Sequence, residues 1–491
     1  MFRSLFLFGS TTFWLTMMSL LIQKEFFQLT PIKTAHEVLP LYELRGHSAR
    51  EEYQAVYLGD ERVGFGFTVL EKKPAGKEES EPAGAYELRH QTYLSFRLLG
   101  RESEMSVKGR ADLDAQLYLK SFDIRVTSKD YWTQIAGQIS KGRIHLMIEG
   151  KDGEPSRKIL PVKEPILYSE SLDMIWTPQN LVFGKRGRMR VWNPMILGIE
   201  EIAFRVARKE KIAFEGSNID VLVVMVGREG VETRSWITPE GLLLRKESPT
   251  GLWMQKEENW KIFDAMRTKH SSPPDLPNLY SIAANRTLGH PEKLRRLKVK
   301  INAPSGEKIL EIERADLAGF GETPRPAAVD PAAFTNYLAA SEFVQSGDPV
   351  IQARAQGIAA GEKSALQAGL KIMRWVHDYV TPSPTVSLPS AKQVLAVQRG
   401  DCNEYTVLFT ALARSIGIPT KMIAGLVYQN GRFFYHAWPE VYAGKWVGMD
   451  PTFNQAPVDV THIPLVEGDI QEQTALIGQL GRIKVLILEA E

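Results

Sequence analysis

The chain reads as an α+β protein in three parts: an N-terminal membrane anchor helix, a large antiparallel β domain shaped as a curved sheet or half-barrel, and a C-terminal α+β domain. Three observations predict this. An uncharged run from Ser4 to Ile22 follows Arg3; residues 51 to 261 alternate apolar and polar side chains between turn signals; and sustained helical periodicity begins only after Pro331. The corresponding bounds are 1–25 for the anchor, 45–265 for the β domain, 266–330 for a linker and short β section, and 331–491 for the C-terminal domain.

The anchor run contains Leu5, Phe6, Leu7, Phe8, Phe13, Trp14, Leu15, Leu20 and Leu21 and ends at Gln23-Lys24-Glu25. At about 1.5 Å per residue such a helix just crosses a hydrocarbon core of about 30 Å. No Ala-x-Ala cleavage site follows, which favours an uncleaved anchor over a cleaved signal peptide. A single-pass inner-membrane protein is expected, with its body facing the periplasm or the cell exterior. The 60 Lys+Arg against 58 Asp+Glu leave a net charge of +2, so no global field draws nucleic acid. At 44% hydrophobic and 24% charged residues the chain is an ordinary folded one.

In the β domain, Tyr53 to Leu58 and Val63 to Leu70 flank Gly59-Asp60-Glu61-Arg62 as a hairpin. Alternation recurs at Thr92 to Leu98, Ala115 to Leu119 and Ile219 to Val226, and Pro239-Glu240-Gly241 turns the chain after Trp236. Ser271 to Pro277 is a proline-rich linker, followed by short strands at Leu297 to Ile301 and Ile309 to Ile312. Asp348-Pro349 begins a helix, and Ala365 to Tyr379 gives another, stopped by Pro382 and Pro384. A half-barrel offers a concave face to an apolar ligand or a docking surface to a protein partner.

The chain has one cysteine, Cys402, so no intrachain disulfide explains it and a reactive nucleophile is the leading reading. Asp401 is placed as the N-cap of a helix with Tyr405, Leu408, Phe409, Leu412 and Ile416 on one face, ended by Gly417-Ile418-Pro419. Cys402 then lies in the first turn, where N–H groups and the helix dipole are expected to lower a thiol pKa below about 8.5. Three strands follow: Lys421 to Tyr428, Phe433 to Tyr442 and Lys445 to Met449. A three-residue loop Tyr442-Ala443-Gly444 puts Val441 opposite Lys445 and His436 opposite Asp450, with Cβ atoms about 4.5–5.5 Å apart. The candidate catalytic residues are therefore Cys402 as nucleophile, His436 as acid and base, and Asp450 as its orienting carboxylate. His377-Asp378 and the pair Asp459 and His462 read as surface or structural residues. No cofactor is expected, and no zinc or calcium motif is present.

Gly400-Asp401-Cys402-Asn403-Glu404-Tyr405, Gly417-Ile418-Pro419, Gly425-Leu426, His436-Ala437-Trp438 and Asp450-Pro451-Thr452 resemble the core of the bacterial transglutaminase-like superfamily, papain-like enzymes with a Cys-His-Asp triad. The resemblance covers about Ala365 to Pro464. The tail to Glu491 resembles family tails, and the order of the β segments resembles curved-sheet domains that some periplasmic members carry ahead of the enzyme. Pro439 departs from the pattern and points to an edge or bulge in its hairpin. The resemblance implies acyl transfer from a peptide or protein amide by a protease, amidase or transamidase, with cell-wall peptides and proteins both open as substrates. The backbone N–H of Cys402 is the expected oxyanion donor, with Gln398 and Gln393 as weaker side-chain candidates. The alternative is a catalytically silent module that docks peptides, proteins or an apolar ligand through its β domain.

Overall fold

The computed structural model describes residues 49–73, 85–98, 101–129, 131–150, 155–162, 165–194, 196–228, 231–259, 261–262, 280–304, 306–317, 323–325, 331–383, 390–469, 473, 476, 479 and 481–491. The expected anchor at 1–25 lies outside them. No helix among the described residues is long and apolar enough to cross a membrane.

Alternating segments joined by tight turns build a sheet of 15 strands, antiparallel except where Leu167–Tyr168 runs parallel to Arg186–Asn193. From the first strand, Ala49–Leu58, neighbouring strands lead outward in chain order to an edge at Ser156–Pro161. On its other side Leu252–Lys256 pairs with the first strand, and the order runs back to Leu167–Tyr168. Phe122 and Trp192 lie in strands ten positions apart in this order, yet their ring centroids are 5.4 Å apart. At about 4.8 Å per strand a flat sheet would separate them by about 48 Å, so the sheet must curl over. Its interior is filled by the chain itself: Tyr168, Met174, Ile175, Trp176 and Leu181 are buried there with Leu88, Ile124, Ile135, Trp192 and Phe204.

One strand expectation is corrected. Ala115 to Tyr118 form a turn, with Leu117 at φ 64° and the Asp114 carboxylate accepting the Gln116 and Tyr118 N–H groups, and the strand starts only at Leu119. Alternation there is the pattern of a turn whose apolar members face the core.

The C-terminal part is built around a central sheet. Helices α1 (Pro331–Leu338), α2 (Pro349–Ile358), α3 (Ala365–Tyr379), α4 (Ala391–Val397) and α5 (Cys402–Ser415) pack against this sheet. In that sheet Arg432–Tyr442 lies between Thr420–Gln429 and the short strands Trp446–Gly448 and Ile282–Ala283. Further along the strands, Arg296–Ala303, Gly306–Glu313 and the C-terminal strand Lys484–Ala490 form a second small sheet that packs against the central one through Val299, Ile301, Leu426, Phe433, Ile463 and Ile487. The expected short β section is thus tied to the chain terminus. Helix α5 is buried along its whole length from Glu404 to Arg414, so apolar residues on every side of it meet a packing partner.

The large sheet rests against the start of α5. The Tyr131 hydroxyl donates to the Arg399 carbonyl, Gln393 Nε2 donates to the Trp132 carbonyl at 3.3 Å, and Ser156 Oγ donates to Glu342 Oε2 at 2.7 Å. Gly150 leaves room for this contact, since a Cβ there would lie 1.6 Å from Gln393 Nε2.

The expected register of the last hairpin is off by two residues. Val441 faces Val447, not Lys445, and the connecting residues are Ala443-Gly444-Lys445. Because strand side chains alternate with period two, an even shift keeps every side chain on its predicted face. Of the edge or bulge expected at Pro439, the structure shows no bulge, as pairing between Thr420–Gln429 and Arg432–Tyr442 is unbroken. Pro439 instead marks where the neighbouring strand leaves: its carbonyl accepts the Met449 N–H at 2.9 Å, it has no N–H to return, and the chain turns away into Asp450. Gly444 has φ 88°, and a Cβ there would meet Thr323 Oγ1 at 2.9 Å. Gly444→Val is expected to lower stability by about 1–2 kcal/mol, read as a lower urea midpoint at unchanged slope; an unchanged midpoint would mean that the loop has an unstrained alternative.

Candidate active site

Helix α5 begins with a complete capping box. Asp401 Oδ1 accepts the Asn403 N–H at 3.1 Å, and Glu404 Oε2 accepts the Asp401 N–H at 2.9 Å. Gly400 is required for this, because Glu404 Cβ would lie 2.2 Å from a Cβ at that position. Cys402 follows as the first helical residue, half-buried, with the Ala437 backbone N–H directed at its sulfur. That contact brings the thiol beside the strand residue next to His436.

The expected lowering of the thiol pKa is overturned. Burial pushes Cys402 well up, the Asp401 carboxylate adds to it, the Ala437 N–H offsets part, and Glu404 and Asp450 push up again. Burial is the largest cause, and the two carboxylates that the cap brings with it add to it. This environment favours the neutral thiol.

His436 Nε2 lies 2.7 Å from Asp450 Oδ2. The ring is nearly parallel to Phe453 at 4.8 Å and to Trp438 at 6.1 Å, which fixes its plane. With Nε2 engaged by the carboxylate, Nδ1 is the nitrogen left for proton exchange. Asp450 is fully buried, and its Oδ1 accepts the N–H groups of Thr452 at 2.7 Å and Phe453 at 3.2 Å. Burial opposes its ionisation, but His436 and His462 outweigh burial and hold the carboxyl well below the usual range.

His462 was expected to be a surface or structural residue with Asp459; the structure buries its ring in the site. Its Nε2 lies 3.2 Å from the same Asp450 Oδ2, its Nδ1 lies 3.5 Å from Asp459 Oδ1, and its ring meets the Trp438 indole edge-on at 5.1 Å. No periodicity or motif spacing marks it; the only signal in sequence is a carboxylate and an imidazole a few residues beyond Asp450-Pro451. His377, by contrast, keeps a structural role, with Nδ1 2.9 Å from the Pro451 carbonyl, and Asp378 is exposed.

The oxyanion candidates separate. Gln393 Oε1 is engaged in its own capping box, and Nε2 donates to the Trp132 carbonyl. Gln398 is exposed at the left-handed end of α4, with φ 57°. His436, Asp450 and His462 present ligand-type atoms within 4.8 Å of one another. The two Nε2 atoms converge on one carboxylate oxygen at hydrogen-bond length.

A model of the transglutaminase-like superfamily matches residues 352–451. The chain contains a transglutaminase-like domain. The matched region of this domain holds Cys402, His436 and Asp450 and stops short of Asp459 and His462. Among solved structures, the chain is similar to a putative cysteine protease from Cytophaga hutchinsonii, at 20% identity over 38% of this chain and 63% of that one, with TM-score 0.29. It is also similar to a beta-barrel-like protein of domain family DUF1849 from Brucella abortus, at 10% identity over 42% of this chain and 94% of that one, with TM-score 0.28. The chain thus spans under two thirds of the first of these proteins. No curated protein matches it.

Proposed function

We propose that the transglutaminase-like domain is a cysteine-nucleophile acyl-transfer enzyme acting on a peptide or protein amide, held by its N-terminal segment at the outer face of the inner membrane. The observation that carries the chemistry is the buried His436–Asp450 hydrogen bond of 2.7 Å beside a helix that begins at the chain's single thiol. Cys402 Sγ attacks the amide carbonyl carbon and its proton passes to His436 Nδ1. The tetrahedral oxyanion is met by the Cys402 backbone N–H, unpaired within the first turn of α5. Collapse breaks the C–N bond, and the departing amine takes the proton from His436. Water or a second amine then gives a proton to His436 and attacks the thioester, the C–S bond breaks, and Cys402 leaves, taking that proton back from His436. Cell-wall peptides and proteins are the proposed substrate classes; the location rests on the uncharged run from Ser4 to Ile22 behind Arg3.

Mixtures of peptides carrying Gln, Asn or cross-bridge amides, quenched in acid, are expected to leave an acyl adduct on the intact chain that maps to Cys402. Iodoacetamide labelling without any acyl adduct across such mixtures would favour the silent docking module instead. In fractionated cells the chain is expected with the membrane and open to protease added outside the inner membrane; recovery as a soluble cytoplasmic protein would overturn the location.

A further inference from the structure

We propose that His462 is a positioning residue of the Cys402 site: it places a second imidazole N–H on the Asp450 oxygen that holds His436 and, as a cation between Asp450 and Asp459, screens the Asp450 charge from the thiol. This rests on the acyl-transfer reading above for its meaning in catalysis, but its physical content concerns Cys402 alone.

Geometry carries the case. Asp450 Oδ2 receives His436 Nε2 at 2.7 Å and His462 Nε2 at 3.2 Å, while Oδ1 is taken by two backbone N–H groups. All four acceptor directions of the carboxylate are filled, so it has no freedom to rotate away from His436. The His462 side chain is 1% exposed and has a carboxylate on each side, Asp450 on one nitrogen and Asp459 Oδ1 3.5 Å from the other. Asp459 is itself fixed by Thr461 and Gln455. Two buried carboxylates this close to one ring repel each other unless a cation stands between them.

Charge follows from that placement. Burial disfavours the imidazolium, but the hydrogen bond to Asp450 and the charges of Asp450 and Asp459 overcome it and push His462 up to about 9. At neutral pH the ring is therefore positive. The charged and titratable groups facing it are Asp450, Asp459 and His436, whose ring centroid is 5.9 Å away. Facing Cys402 are Asp401 and Glu404 from its own helix, and Asp450 from the sheet side. His377 on α3 approaches the same turn only through the Pro451 carbonyl. Of these, Asp450 raises the thiol, and a proton on His462 cancels much of that effect.

The test is the rate of Cys402 alkylation by iodoacetamide, which needs no substrate and has no background from other thiols. His462→Gln keeps an N–H donor and removes the charge. Its alkylation is expected to be about tenfold slower than wild type near pH 7, corresponding to a thiol shift of about one unit. The gap should close as pH rises past about 9, where wild-type His462 loses its own proton. His462→Phe also removes the donor, and acyl transfer should fall roughly tenfold to hundredfold below that of His462→Gln, in the range typical for groups that orient a ligating or reacting side chain. Should His462→Phe not fold, Asp459→Asn serves: it leaves the ring in place, weakens its hold on the proton, and should move the closing point to lower pH. Equal alkylation rates for wild type and His462→Gln from pH 6 to 10 would overturn the proposal, as would a gap that does not vary with pH. Failure of the acyl-transfer reading has a different signature, the absence of any acyl adduct in the wild type.

Discussion

Cys402→Ala is expected to abolish both acyl-adduct formation and labelling of the chain by iodoacetamide while leaving the fold intact. Cys402 is the only cysteine, so the residual signal should be zero. It opens a helix, is half-buried and makes no ion pair, so its truncation should cost under about 1 kcal/mol of stability. Urea unfolding of the two proteins would show this. The pH dependence of wild-type labelling has a definite sign. Burial, Asp401, Glu404 and Asp450 push the thiol up, so the thiolate fraction and the labelling rate should still be climbing above pH 8. A rate already at its plateau at pH 6 would show that the thiol exists as a standing ion pair, and equal acyl transfer by wild type and Cys402→Ala would end the enzyme reading.

Asp450→Asn is expected to lower acyl transfer by about three to four orders of magnitude, the scale of loss when an orienting carboxylate in such a triad becomes an amide. Oδ1 can still accept the Thr452 and Phe453 N–H groups. At the Oδ2 position an NH2 group would then face two imidazole N–H groups, and His436 would lose both its orientation and the charge that stabilises its protonated form. The same substitution has a consequence for stability. Because the Asp450 carboxyl is held well below its unfolded value of about 3.9, it contributes stability that is present above that pH and lost as pH falls toward the folded pKa. Wild type should therefore lose more stability between pH 5 and pH 3 than Asp450→Asn does. Activity of the variant within about tenfold of wild type would reduce the site to a Cys402–His436 dyad.

What could be read from the chain in advance was mainly local. The Asp401 N-cap, the Cys402 placement, the Gly417 stop and the positive φ of Gly444 each depend on a few adjacent residues whose conformational preferences are strong. The hairpin register was less accessible, since a loop of three residues can be set at 442–444 or 443–445 without changing any residue type, and only the even parity of the error kept Asp450 on the right face. The thiol environment was misjudged because burial, which depends on the tertiary packing, is the main cause that raises the thiol, and the acidic residues that make the cap add their charge. His462 could not be placed at all: its contact with Asp450 depends on how the 451–462 segment folds back, and nothing in the periodicity of a turn-rich stretch encodes that.

The hydroxyl of Tyr131 holds the carbonyl of Arg399, a residue 268 positions further along the chain and three before the thiol. A gene fragment beginning near Pro331 would therefore carry the whole matched superfamily segment and still lack the support on the outer side of its nucleophile turn. Swapping the N-terminal sheet for that of another protein would have the same effect unless the donor supplied a phenol at that spot and a glycine where Gly150 makes room for Gln393. Heredity is thus expected to keep the two halves together: a substitution at Tyr131 or Gly150, far from the thiol in sequence, should be tolerated only alongside a compensating change in the 393–399 segment.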